Sequence, residues 1–123
     1  MRRSRYHLAG PICRDFSPMG TQQGEAGKHI AAFVVWAALR LVMQESIVVY
    51  ENSSRVPVHV LERVFGHRYI VIARIVDPAA DLGWPGARKR LWGVLVLRSV
   101  VERIHCSFSN VIDLFRRNRN CSW

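Results

Sequence analysis

Between Gly27 and Glu45 the apolar residues Ile30, Phe33, Val34, Ala37, Ala38, Leu41 and Val42 recur at i, i+3, i+4 and i+7. That spacing predicts a helix with one buried face. Ile47-Val48-Val49-Tyr50, bounded by Ser46 and by Glu51-Asn52-Ser53-Ser54, predicts a short buried strand that ends in a polar loop. Val56 to Phe65 places Val60, Leu61, Val64 and Phe65 on one side, with Pro57 tolerated at a helix start and Gly66 as a stop. Tyr69 to Val76 and Leu91 to Leu97 are rich in β-branched residues and predict two more strands. The connection from Asp77 to Lys89 carries Pro78, Gly83, Pro85 and Gly86 and predicts turns.

The ends are less patterned. Arg5 to Ala9 predicts a short strand running into Gly10-Pro11, and Cys13 to Gly27, with three glycines, predicts one long loop. After Arg98, Val100, Val101, Ile104, Val111, Ile112, Leu114 and Phe115 predict an amphipathic helix before the basic end Arg116-Arg117-Asn118-Arg119-Asn120. Strands alternating with helices predict an α/β domain with a parallel sheet covered on both faces, and functional loops at the carboxyl ends of its strands. Three loops then share one end: the one with Cys13, the one with Glu51 and Asn52, and the turn with Arg88 and Arg90.

Composition narrows the function. At 123 residues with 50% hydrophobic and 22% charged residues, the chain has the balance of one small globular domain. Lys and Arg total 18 against 9 acidic residues, a net charge of +9, and 16 of the 18 are Arg. Arginine's planar fork matches phosphates and base edges, so the excess points to nucleic acid. The longest apolar run, Ile30 to Met43, has 14 residues and contains Arg40, whereas a bilayer span needs roughly 20. Neither that run nor the N-terminus predicts a membrane span or a secretory signal, so an intracellular location is expected. Three widely spaced cysteines without a Cys-x-x-Cys pair signal neither a disulfide framework nor zinc, and five histidines without helical i, i+4 pairing signal no other metal.

Three sites carry candidate chemistry, and each has an ordinary alternative. An isolated free cysteine is commonly a small buried hydrophobe, yet Cys13 follows Gly-Pro in a loop leaving a strand, beside Arg14, whose positive field favours the thiolate. Glu51 can be a solvated strand-end acid, but its place after an apolar run makes partial burial plausible, and burial raises a carboxyl pKa toward proton donation. Arg88 and Arg90 can be a solvated basic edge. At i and i+2 they can also aim two guanidinium groups into one cleft.

These residues carry a family resemblance. Gly10-Pro11-Ile12-Cys13-Arg14-Asp15-Phe16-Ser17-Pro18-Met19-Gly20 resembles the Pro-Cys nucleophile motif of the cytosine-5 DNA methyltransferases. Glu51-Asn52-Ser53 resembles that family's Glu-Asn-Val motif, and Gly83-Trp84-Pro85-Gly86-Ala87-Arg88-Lys89-Arg90 its Gly-x-Pro-Gln-x-Arg-x-Arg motif. The resemblance covers about residues 7–97 and keeps the family's motif order. Ile12, Arg14, Ser53 and Gly86 depart from the residues usual there; none is a reacting group, and each supports one.

The resemblance implies a partial Rossmann-like, S-adenosylmethionine-dependent methyltransferase fold, with the central strands and helices only. It implies a Cys13 thiolate that adds to C6 of a flipped cytosine, Glu51 at N3, Arg90 on the base carbonyl and Arg88 bracing the site. Asn52, Ser17 and Pro11 would position the substrate and the nucleophile loop. The partner would be DNA, or tRNA by the related RNA-modifying branch; a basic protein that binds nucleic acid without chemistry is the third reading. The cofactor's Gly-rich turn would precede the nucleophile by two or more strand-helix units, yet only 12 residues precede Cys13. The chain is thus expected to be the middle of a catalytic domain that does not turn over alone, from a gene-model fragment, a degenerate copy or a split enzyme. Residues 98–123 would be a basic helical tail or the start of a target-recognition region. The location would be nuclear in a eukaryote and cytoplasmic in a bacterium. Without the preceding strands, the Arg5 to Ala9 strand should be an exposed edge and the chain marginally stable.

Overall fold

Burial alternates with period two along the strand Ile47–Ser53, where Val48, Tyr50 and Asn52 are buried and their neighbours half-buried. The computed structural model describes residues 5–10, 30–101 and 108–116. They form β1 (Tyr6–Ala9), α1 (Ile30–Met43), β2 (Ile47–Ser53), α2 (Val58–Phe65), β3 (Tyr69–Val76), α3 (Pro78–Leu82), β4 (Arg90–Leu97) and α4 (Phe108–Leu114). The four strands make one sheet in the order β1-β2-β4-β3.

The sheet is mixed, not parallel. β1 pairs with β2 in parallel, but β4 lies between β2 and β3 and is antiparallel to both. The physical reason lies in the connection: α3 has five residues, and Gly83, at φ 70, ends it in a left-handed cap. A parallel β4 would need the chain to return the length of an eight-residue strand, roughly 26 Å, before starting. Reversing direction at once is the shorter route.

One face of the sheet carries the core. Val48, Tyr50, Tyr69, Leu91, Leu95 and Leu97 pack there against Phe33 and Ala37 of α1 and against Val60, Leu61 and Phe65 of α2. Gly93, opposite Tyr50 in register, leaves room for Leu61, whose Cδ1 would lie 3.4 Å from a Cβ added there. On the other face α4 meets β3 and α3, with Arg74 Nη1 donating to Ser109 Oγ at 3.0 Å. Toward the β1 edge that face is open: Tyr6 is 68% and Leu8 78% exposed. The expected coverage of both faces is therefore incomplete among the described residues, and the expected exposed edge is present.

Three further expectations change. Glu51 and Asn52 belong to β2, because pairing with β4 continues to Ser53 opposite Arg90. α1 buries Phe33 and Ala37 with partly buried Ile30, Trp36 and Leu41, while Val34, Ala38 and Val42 face outward. Residues 98–100 form a turn rather than a helix, and the described helix starts at Phe108. No described helix is long and apolar enough to cross a membrane.

The α1 face is rotated by a polar network at the amino ends of the strands. Gln44, at φ 52, turns the chain out of α1, so that Glu45 folds back onto Arg40 with Nη1 to Oε1 at 2.5 Å. Both side chains are nearly enclosed, at 11% and 3% exposed. The Tyr69 hydroxyl donates toward the Glu45 and Arg40 carbonyl oxygens at 3.1 and 3.3 Å. Burial, reinforced by the Glu45 carboxylate, raises the Tyr69 pKa and keeps that donor protonated. His7 completes the group: Arg40 Nη1 lies 2.6 Å from Nδ1, and the Trp36 indole N–H points at Nε2 from 3.3 Å. Both neighbours are donors, and a neutral imidazole can accept at only one nitrogen. Protonation would turn both contacts into donor against donor, and burial followed by the Arg40 charge lowers the His7 pKa below 6.5.

Two expected outcomes follow from this network. Because the folded His7 pKa is depressed, the unfolded chain binds that proton more readily. The His7 contribution is present above the ordinary value of 6.5 and lost as pH falls through the folded pKa. Urea midpoints measured from about pH 7.5 to about pH 5 should therefore fall more for the wild type than for His7→Leu. Glu45→Leu alone should cost about 3–5 kcal/mol, since it strands a buried guanidinium, whereas Arg40→Met with Glu45→Leu should recover most of it in the same titration.

Candidate active site

Alternation in β2 sends adjacent residues to opposite faces, so Glu51 and Asn52 do different work. Asn52 is buried on the core side, where Nδ2 donates to the Tyr50 hydroxyl at 2.9 Å and Oδ1 accepts from the Ser53 backbone N–H at 2.8 Å. These bonds hold the end of β2 straight. Glu51 emerges on the open face, its side chain about a third exposed.

The antiparallel β4 supplies the rest. Its first residues lie at the carboxyl ends of β1 and β2, with Arg90 opposite Ser53 and Trp92 opposite Glu51. Arg90 Nε lies 3.1 Å from Glu51 Oε1, and Arg90 Nη1 donates to the Lys89 carbonyl at 2.8 Å. With each partner about a third exposed, such a pair contributes at most about 1 kcal/mol to stability. Its consequence is orientation. Oε1 is held toward β4, while Oε2 faces the end of β1, where a Cβ added to Gly10 would come within 3.3 Å of it. Gly10 is the close approach that lets β1 end beside this carboxylate.

Between these elements lies an open cavity of about 530 Å³, lined by Leu8, Ala9, Gly10, Val49, Glu51, Arg88 and Trp92. Its floor is apolar. Its polar groups are one carboxylate and one guanidinium, a sparse polar lining that orients a bound molecule. The structure thus brings together Glu51, Arg88 and Arg90 from the sequence reading, places Asn52 beneath them on the other face, and leaves Cys13, Pro11 and Ser17 outside the described residues. Sequence reasoning missed Trp92 and Gly10. The signal for Trp92 was available, because the i, i+2 step that joins Arg88 to Arg90 reaches it in one more step.

No cluster of His, Cys, Asp or Glu among the described residues could hold a metal ion. The cofactor that the resemblance implies fares similarly. Gly66 caps α2, Gly83 caps α3 and Gly93 lies within β4. None opens a helix after a strand, so these glycines do not form an S-adenosylmethionine cradle.

No family model matches the chain, and no curated protein sequence matches it. Solved structures do. The chain is similar to the S. pombe Dnmt2 methyltransferase, with a TM-score of 0.69 and 16% identity over 94% of its residues. It is also similar to the Entamoeba histolytica methyltransferase EhMeth, at 0.59 and 14% over 84% of its residues. A Spodoptera frugiperda DNMT2 mutant gives 0.56 and 15% over 84%. The matches cover 37%, 35% and 34% of those chains, so this chain spans about a third of their length. What they share is fold: the chain has the central strands and helices of a Rossmann-like, S-adenosylmethionine-dependent methyltransferase fold, as the sequence led us to expect.

Orientation and stability should separate by mutation. Arg90→Ala should change the unfolding free energy by no more than about 1 kcal/mol. Tyr50→Phe, which removes the buried partner of Asn52, should cost about 1–3 kcal/mol. Denaturant unfolding of both variants checks the contrast.

Proposed function

We propose that the chain forms the target-base side of a nucleic-acid cytosine-5 methyltransferase. The observation that carries this reading is the Glu51 carboxylate, oriented by Arg90 and facing a cavity that Arg88 also lines. The likeness of fold to methyltransferases supports it. So does sequence: Cys13 follows Gly10 of the cavity lining by three residues, roughly 10 Å of extended chain.

On this reading the Cys13 thiolate attacks C6 of a cytosine lying in the cavity and forms a carbon–sulfur bond. The C5–C6 π electrons move to C5, and a proton taken from solvent and passed to N3 through Glu51 leaves no net charge on the ring. Arg88, which lines the cavity, would hold the base carbonyl, while Arg90 would orient Glu51. This exchanges the two roles that the family resemblance assigns. Pro11 and Ser17 would shape the nucleophile loop, and Asn52 would hold the end of β2 from the core side. S-adenosylmethionine would supply an electrophilic methyl group for C5. The surplus of arginine would neutralise phosphates and help to recover the few kcal/mol spent in extruding the base.

Addition at C6 can be tested without the methyl donor. Once C5 is carbanionic it can take a proton from solvent; loss of the original C5 proton and expulsion of the thiolate then return cytosine carrying solvent hydrogen. In deuterium oxide the chain should exchange the C5 hydrogen of cytosine, as read by mass spectrometry of the nucleosides. Cys13→Ser should abolish exchange, and Glu51→Gln should slow it by about 10²–10⁴-fold. Duplex DNA and tRNA run in parallel identify the polymer. Exchange with neither, while both bind with equal salt sensitivity, would leave the non-catalytic binding protein as the correct reading.

A further inference from the structure

We propose that Trp92 is the stacking wall of the cavity, the surface on which a single planar base lies while Glu51 addresses its polar edge. The inference rests on the target-base reading and adds a specificity residue to it. The core face holds a network of aromatic rings. There Phe33, Trp36, Tyr50, Phe65 and Tyr69 sit 5.4–6.4 Å apart, with His7 at its margin. Trp92 projects from the opposite face, is 39% exposed and makes no ring contact among the described residues. A large apolar ring left in that state beside a carboxylate is half of a base-recognition device. The other half is the carboxylate, because bases extruded from a stack are read by ring stacking together with hydrogen bonds to their edges.

The placement is also rigid. Trp92 lies inside the sheet, paired in register with Glu51 on one side and Arg74 on the other. The Arg74 guanidinium is engaged by Asp81 and Ser109, 3.4 and 3.0 Å away. Leu8 and Val49 complete an apolar surface around the ring. A site on a strand between two paired neighbours holds its geometry more closely than one on a loop. An acyclic substrate would gain nothing from the indole face, whereas every nucleobase has a π-face to offer it.

The test uses short duplexes of one sequence, carrying a bulged cytosine, a bulged uracil or an abasic site at the same position, at one fixed salt concentration. The wild-type chain should bind the cytosine duplex about tenfold or more tightly than the abasic one, with quenching of tryptophan emission that the abasic duplex does not cause. Trp92→Leu should abolish both the preference and the quenching, and Trp92→Phe should keep most of the preference. Glu51→Gln should keep base over abasic but lose cytosine over uracil. A cytosine preference that survives Trp92→Leu, or that forms without quenching in the wild type, overturns the stacking wall and leaves the target-base reading standing. Equal binding of cytosine and abasic duplexes by the wild type defeats both.

Discussion

The insertion of β4 between β2 and β3, antiparallel to both, is the constraint on which the other features depend. It fills the middle of the sheet with Leu91, Leu95 and Leu97 on the core side. In the same stroke it brings the start of β4 to the carboxyl ends of β1 and β2. Had β4 run parallel over the same span, Arg90 would stand beside Ile47 at the amino end of β2, four residues or roughly 13 Å from Glu51. The core and the cavity are therefore products of one choice of direction, and the short α3 turn that enforces it has a functional consequence although it lines nothing.

Register then divides the labour within β2. Tyr50 and Asn52 bond to each other in the core, and Glu51 between them is free to face the cavity. A slip of one residue would bury the carboxylate and expose the amide. The cross-strand pairs Asn52 with Leu91 and Tyr50 with Gly93 resist that slip, because each places a buried partner where a half-exposed one would otherwise fall. The weak Arg90–Glu51 pair is thus carried by a strongly determined backbone and only has to choose a rotamer.

Much of this was legible in the sequence. β3 ran from Tyr69 to Val76 as the β-branched run indicated, and α2 stopped at Gly66. Glu51, Arg88 and Arg90 meet at one end as the loops suggested, although the parallel sheet that suggested it was wrong for β4. Hydrophobic alternation is the same for parallel and antiparallel strands, so direction had to come from the connection, where four proline and glycine punctuators hid a five-residue helix. Polar letters after Tyr50 looked like a loop because pairing with β4 is not written locally. The buried face of α1 was misread for a related reason. Arg40 counts as polar in any periodicity, yet it is enclosed by Glu45 and His7, and Trp36 beside it takes the place expected for Val34 or Ala38.

That enclosed group has a bearing on the site at the other end of the sheet. β1 has four residues, with His7 anchored by Arg40 and Trp36 and Gly10 touching the cavity immediately after Ala9. Among the described residues β1 is also the open edge, paired on one side only, so the sheet alone gives it half the usual support. The His7 contacts supply a second attachment, to α1, and so set where Gly10 ends up relative to Glu51. His7 thus ties β1 to α1 at the end of the strand remote from Gly10, while Gly10 meets the cavity at the other.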